Sequence, residues 1–158
     1  MSIRILCVGR LKDGPERALV DDYLDRARKT GRALGWRDIR EIEVDAGGGR
    51  EREAERLVAK ATASSGSGSG VLVRLDERGE QWTSEEMSRR LIKWRDAGEA
   101  VTFLIGGADG HGPAAVEAAR TVLALGQQTW PHKLVRAMLA EQVYRAVSIA
   151  AGTPYHRE

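Results

Sequence analysis

The sequence predicts an α/β fold with a mainly parallel sheet and helices on both of its faces. Apolar runs of strand length alternate with helical segments along the whole chain, which is typical of βαβ units. Two of these runs, residues 71–75 and 100–105, are apolar at nearly every position, as in strands that helices cover on both faces. The length of 158 residues suits a single domain over residues 1–158 with its own core.

The first half of the chain predicts two strands and two helices. Residues 3–8 are an apolar run that stops at Gly9, which favours a buried strand. An apolar helical face then runs over residues 15–31. Residues 42–44 alternate between apolar and acidic side chains, which favours an edge strand. A charged helix follows the glycines at 47–49.

The second half predicts three strands, each followed by a helix. The segment SSGSGSG at 64–70 has the composition of a linker, but the same alternation continues beyond it, so we interpret it as a surface loop. The first unit is a strand over 71–75 followed by a helix that Thr83 caps. The second is a strand over 100–105 followed by a helix that begins at Pro113. The third is a strand over 122–125 followed by a helix over 133–151.

Composition narrows the class of protein. The formal net charge of +2 permits an anionic partner without requiring one. Cys7, the only cysteine, lies in an apolar run and is interpreted as a buried, inert thiol. The three histidines are widely spaced without acids among them, so no metal site is predicted. No apolar run approaches the roughly 20 residues of a membrane span, and no signal peptide is evident, so we expect a cytoplasmic protein.

Two loops near the C-terminus are the candidate ligand site. Residues 106–112 form a glycine-rich turn after a strand, where the backbone can approach a ligand closely. A dinucleotide fingerprint is not favoured there, because the turn comes late and Trp130 stands where an acid is needed. Residues 126–132 combine amides, a hydroxyl, an indole and an imidazole, as functional loops commonly do. We expect the two strand ends to open beside each other and form a crevice.

The last four residues follow the stop signal of the long helix at Gly152. Tyr155, His156, Arg157 and Glu158 therefore lie outside any amphipathic pattern. One interpretation is a frayed tail. The other is a recognition element, since an aromatic ring, an imidazole and a guanidinium suit stacking on bases and contact with phosphate.

Several segments together resemble a known enzyme family. LIGGADG, TWPHKLVR, AEQVYRA and the terminal PYHRE, with RILCVGRLKD and VRLDERG further upstream, are similar to the H-type family of large-subunit ribosomal RNA pseudouridine methyltransferases. This family belongs to the SPOUT superfamily of trefoil-knotted enzymes. The resemblance covers essentially the whole chain.

The resemblance implies an enzyme that uses S-adenosylmethionine to methylate N3 of a pseudouridine in 23S ribosomal RNA, on assembled ribosomes. It further implies a C-terminal trefoil knot and a homodimer. Tyr155, His156 and Arg157 are implied to reach the RNA and the partner subunit's active site. The implied cofactor contacts are Leu75, Gly106, Gly107, Leu125, Gly126, Gln127, Gln128, Thr129 and Trp130.

The chemistry of this reaction leaves the roles of individual residues open. N3 must lose a proton before it attacks, and His132 or His156 can accept it. Arg136, or Arg157 from the other subunit, can stabilise the anion that develops. Two other classes of function stay open at this point, namely an NAD(P)-dependent oxidoreductase and a ribosome-binding protein without catalysis.

Overall fold

A parallel sheet of five strands forms the centre of the computed structural model, which describes residues 1–65 and 70–157. The strand order is β2-β1-β4-β3-β5, and every neighbouring pair is parallel. The strands are β1 (Ser2–Val8), β2 (Asp38–Val44), β3 (Val71–Gln81), β4 (Val101–Ile105) and β5 (Thr121–Ala124). The predicted edge position of β2 is confirmed, and so is the α/β class.

In the described part of the chain, five α-helices connect and flank the strands close to where the sequence predicts them. They are α1 (Pro15–Gly31), α2 (Gly49–Ser64), α3 (Ser84–Asp96), α4 (Pro113–Ala118) and α5 (His132–Ala151), with a short 3-10 turn over Arg32–Leu34. The side chain of Thr83 accepts a hydrogen bond from the Glu86 N–H at 3.0 Å and so caps α3. Gly152 ends α5 in the left-handed region, with φ of 72°. The predicted loop at 64–70 lies mostly outside the described residues.

The helices cover both faces of the sheet, as predicted. Helices α1, α3 and α5 pack on one face, around Ile5, Phe103 and Leu139. Helices α2 and α4 pack on the other, around Leu6, Leu57 and Leu104. Each of these side chains is at most 1% exposed, so both faces bury apolar area that stabilises the fold. Cys7 is fully buried in the first of these cores, as expected.

Strand β3 is longer than predicted, and its extra length matters for the site. The prediction ended the strand at Leu75, but pairing with β5 resumes at Glu80 after an irregularity. Polar residues at 76–80 hid this continuation, since they break the apolar pattern from which a buried strand is read. The intervening residues leave the ladder at the carboxyl edge of the sheet.

Three strands form the crevice, and the implied contacts Leu75, Gly106 and Leu125 lie in or directly after these strands. The prediction placed the ends of β4 and β5 side by side, but β3 lies between them in the sheet. Helix α5 follows the edge strand β5 and packs mainly against α1 on the same face of the sheet.

The trefoil knot stays a prediction. No helix within residues 1–65 and 70–157 combines the length and apolarity needed to cross a bilayer.

Candidate active site

A cavity of about 600 Å³ opens at the irregular segment of β3 and the ends of β4 and β5. Its size lies within the range of small-molecule and cofactor sites. Its walls are the irregular segment of β3 from Leu75 to Arg78, the glycine turn after β4, and the loop from β5 into α5. The lining residues are Leu75, Asp76, Glu77, Arg78, Ile105, Gly106, Gly107, Ala108, Gly110, His111, Leu123, Leu125, Gln128, Thr129, Trp130, Pro131, His132 and Val135.

Most of the residues implied to contact a cofactor meet at this cavity. Leu75, Gly106, Gly107, Leu125, Gln128, Thr129 and Trp130 line it. Gly126 instead lines a second cavity of about 470 Å³ beside α3 and α5, and Gln127 lines neither. The indole N–H of Trp130 donates to the Leu125 carbonyl at 3.1 Å, which holds the loop in a tight turn over the cavity.

Within the glycine turn, the backbone of Gly106 lies close to the backbone of Gly110 and His111. A Cβ atom at this position would lie 2.8 Å from the carbonyl oxygen of Gly110 and 3.3 Å from the backbone nitrogen of His111. Both contacts are with backbone, so no side-chain rotation relieves them. The turn that forms the middle wall of the cavity therefore requires glycine here.

The residues after Leu75 form a wall of the cavity that the sequence reasoning missed. Asp76 pairs with Arg78 at 2.9 Å, and Glu77 accepts a hydrogen bond from the hydroxyl of Thr129. Glu77 thereby joins the irregular segment of β3 to the loop before α5. A run of three charged residues directly after an apolar strand was the available signal.

Asp76 is expected to stabilise the fold in a pH-dependent way. Hydrogen bonds from Arg78 hold the pKa of Asp76 at about 2, below its ordinary value of 3.8. This stabilisation is complete above pH 3.8 and is lost as the pH falls toward 2. Asp76→Asn should lower the free energy of unfolding by about 1 kcal/mol at pH 7, a figure that allows for screening of the exposed Arg78. Urea unfolding should show a smaller difference at pH 3; an equal difference at both pH values would contradict the assignment.

Two imidazoles face the cavity. His132, the first residue of α5, has a lowered pKa because of burial, with Arg136 and Lys133 adding to the effect. His111, which the sequence reasoning did not select, donates from Nε2 to the Leu75 carbonyl at 3.1 Å, and burial lowers its pKa. Both rings are therefore neutral near pH 7, and a neutral ring can accept a proton.

Arg136 is not among the residues that line the cavity, and its contacts do not favour the predicted role of stabilising an anion there. Its side chain is 2% exposed, with Nη1 3.0 Å from Glu41 and 3.4 Å from Glu43. Nη2 donates to the carbonyl of Gly9 at 3.1 Å. Two carboxylates already balance its charge, because α5 passes over the ends of β1 and β2. This geometry favours an anchoring role.

Tyr155 and His156, in the C-terminal tail, pack against their own chain. The Tyr155 hydroxyl donates to Glu141 at 2.9 Å, and the tyrosine ring lies 4.4 Å from that of Tyr144. His156 accepts from Arg145 at Nδ1 (3.2 Å) and donates from Nε2 to Glu85 (2.7 Å). None of Tyr155, His156 and Arg157 lines the cavity of its own chain.

Comparison with known proteins decides the family. A family model described as "Predicted SPOUT methyltransferase" matches residues 1–156. The chain belongs to the SPOUT methyltransferase family. The resemblance seen in the sequence is thereby confirmed, and the oxidoreductase alternative is wrong.

Related proteins match this chain along nearly its full length. Two proteins named "Ribosomal RNA large subunit methyltransferase H" are among them. The protein from Hyphomonas neptunium is 54% identical over 99% of this chain and 99% of its own. That from Maricaulis maris is 48% identical over 100% of both.

The fold also matches a solved structure. A protein of Haemophilus influenzae Rd KW20, described as belonging to a probable methylase family, superposes with a TM-score of 0.53 over 99% of this chain and 70% of its own. At 9% identity this match shows the fold alone. Within the described residues of this SPOUT methyltransferase, no cluster of His, Cys, Asp and Glu is suited to hold a metal ion.

Proposed function

We propose that this protein transfers a methyl group from S-adenosylmethionine to N3 of a pseudouridine in 23S ribosomal RNA, on assembled ribosomes in the cytoplasm. The observation that carries the proposal is the 54% identity, over nearly the full length of both chains, to a protein named as a large-subunit ribosomal RNA methyltransferase. The cavity formed by β3 and by the ends of β4 and β5 supports the proposal, since its size suits a cofactor.

The chemistry of the cavity fits the proposed cofactor. Leu75, Leu123 and Leu125 offer an apolar surface to an adenine ring. Glu77 is a carboxylate in the wall, and within the described residues it has no salt-bridge partner, so it suits a cofactor that carries positive charge. S-adenosylmethionine supplies an electrophilic methyl group. The protein contributes orientation, which can be worth about 7–11 kcal/mol of an activation barrier.

The geometry favours His132 over His156 as the proton acceptor. The ring of His132 lines the cavity and is held neutral. Both nitrogens of His156 are engaged, with Arg145 and with Glu85. His132→Gln should therefore slow single-turnover methylation by about 10²-fold or more, while cofactor affinity measured by calorimetry stays close to wild type. A near-normal rate in this variant would exclude the ring as the base.

The position of the tail supports a homodimer in which each subunit completes the other's site. Tyr155 and His156 pack near Arg145, which lies about 20 Å along α5 from His132. A tail so placed does not reach the cavity of its own chain, whereas Arg157 is exposed and available to RNA or to a second subunit.

Mixed dimers test this arrangement. At a cofactor concentration that saturates only the wild-type cavity, a chain with Gly106→Ala and a chain that lacks residues 155–158 should each be nearly inactive alone, because one binds the cofactor poorly and the other has no tail. Mixing them should restore activity, up to about a quarter to a half of the wild-type level, as one of two sites becomes complete. No recovery after verified subunit exchange would contradict a tail that acts across the dimer.

The transfer assay tests the function itself. Tritium from labelled S-adenosylmethionine should enter ribosomes that lack this modification and should not enter modified ribosomes. Nuclease digestion should then locate the label on N3 of a pseudouridine. Binding to ribosomes with no transfer would instead indicate a binding protein without catalysis. Binding should weaken steeply as salt rises, because Lys and Arg from two subunits contact phosphates.

A further inference from the structure

A buried carboxylate without a cationic partner lies behind the cavity. Glu53, on α2, is 8% exposed. The backbone N–H of Gly47 donates to its Oε2 at 3.0 Å. No Lys, Arg or His among the described residues forms a salt bridge with it. Burying an uncompensated charge destabilises a fold, so a carboxylate kept in this position beside a cavity is a candidate for function.

The position of Glu53 connects it to the reacting end of the cavity. A Cβ atom at Gly107 would lie 3.3 and 3.5 Å from its two carboxylate oxygens. Gly107 lines the cavity together with His132. The carboxylate is thus directly behind the glycine turn, on the α2 face of the sheet. The Glu53 side chain reaches this position because α2 packs against β1. Val8, at the end of β1, also lies close to Gly107.

Three charges act on the His132 ring. Arg136 and Lys133, on the same helix, disfavour its protonated form. Glu53 is the charge that favours it, and it approaches from α2. A base that accepts a proton becomes an imidazolium, and the two nearby cations oppose this change. The Glu53 carboxylate, which lies next to Gly107 in the wall of the same cavity, offsets them.

We propose that Glu53 acts through His132, with its buried carboxylate stabilising the positive charge that the imidazole gains when it accepts a proton from the substrate. In this step the N3–H bond of the pseudouridine breaks, its electron pair stays on N3, and the proton binds to a lone pair of the His132 ring. Glu53 touches neither substrate nor cofactor and is a positioning residue. The inference rests on the proposed function for the identity of the proton donor.

The test compares two matched substitutions on α2. Glu53→Gln keeps the size of the side chain and an acceptor for the Gly47 N–H but removes the charge. Glu55→Gln removes a charge from an exposed position two residues away. The pKa of His132 is measured by NMR titration, with its signal assigned through His132→Gln. The pH profile of single-turnover methylation and the affinity for S-adenosylmethionine are measured on the same proteins.

The expected result is a lower His132 pKa in Glu53→Gln than in wild type or Glu55→Gln. The acid limb of the rate profile should move to lower pH, and its plateau should fall about tenfold because a weaker base is less effective. Cofactor affinity should not change. Glu53→Asp, which keeps the charge, should retain most of the rate and provides the comparison if Glu53→Gln does not fold.

Other outcomes overturn the inference. An unchanged His132 titration in Glu53→Gln would exclude the coupling, and this readout needs neither RNA nor cofactor. A lowered pKa with an unchanged plateau would exclude a role in the reaction, and so would an equal loss of rate in Glu53→Asp. Absence of methyl transfer by the wild-type protein would instead overturn the proposed function, and the titration would still report on the coupling.

Discussion

Replacing Arg136 by methionine should lower the free energy of unfolding by about 3 kcal/mol, among the largest losses expected for a single substitution in this chain. The Arg136 guanidinium contacts Glu41 and Glu43, and Arg17 contacts the same two carboxylates. Without Arg136, two partly buried carboxylates retain only Arg17, and the carbonyls of Val8 and Gly9 lose their donor. Urea unfolding followed by circular dichroism measures the loss.

A matched control separates the buried ion cluster from the general effect of a lost charge. Lys133→Met removes a cation from the same helix at an exposed position and should change stability by less than about 0.5 kcal/mol. A similar loss in both variants would show that the contacts of Arg136 with β1 and β2 contribute little. His132, the first residue of α5, lies one helical turn before Arg136. The ion pairs of Arg136 with Glu41 and Glu43 therefore also fix the position of the start of α5 at the cavity.

Gly106→Ala should weaken binding of S-adenosylmethionine by about ten- to a hundredfold. The new Cβ would be 2.8 Å from the Gly110 carbonyl oxygen, so the glycine turn must move to admit it. The moved segment is the middle wall of the cavity, and a displacement there changes every contact that this wall makes. Isothermal titration calorimetry measures the affinity directly.

Gly98→Ala is the control for a general loss of stability. Gly98 has φ of 77°, with no atom within 4 Å of a Cβ at that position, and it lies in the connection between α3 and β4. Alanine there should cost about 1 kcal/mol of stability and leave the affinity unchanged. Wild-type affinity in Gly106→Ala would mean that the glycine turn does not shape the binding site.

The sequence predicted the order of the elements and the bounds of the helices well, because local signals determine them. Pro15 and Gly152 mark the ends of helices through backbone constraints that need no tertiary contact. Thr83 caps α3 through a hydrogen bond within one turn. The candidate loops at 106–112 and 126–132 were found in the same way, from glycines and polar residues that follow apolar strands.

The resemblance to a family added what these local signals do not contain. Periodicity and turns indicate a ligand site but do not specify the ligand. The segments TWPHKLVR and PYHRE identified the family, and the match over residues 1–156 bears out that identification. The trans role of Tyr155, His156 and Arg157 rests on the same resemblance and is tested by the mixed dimers.

What the sequence determined by itself is the α/β class, the alternation of elements and the glycine turn, since each depends on residues close together in the chain. Only the tertiary structure decided that β3 lies between β4 and β5, which brings Asp76 and Glu77 into the cavity wall. It likewise decided that Arg136 is buried against Glu41, 95 residues earlier, and that Glu53 lies behind Gly107. In the sequence pattern of a helix, a charged residue that faces water cannot be distinguished from one that is buried against an oppositely charged partner. Which of the two it meets depends on the elements that pack against it.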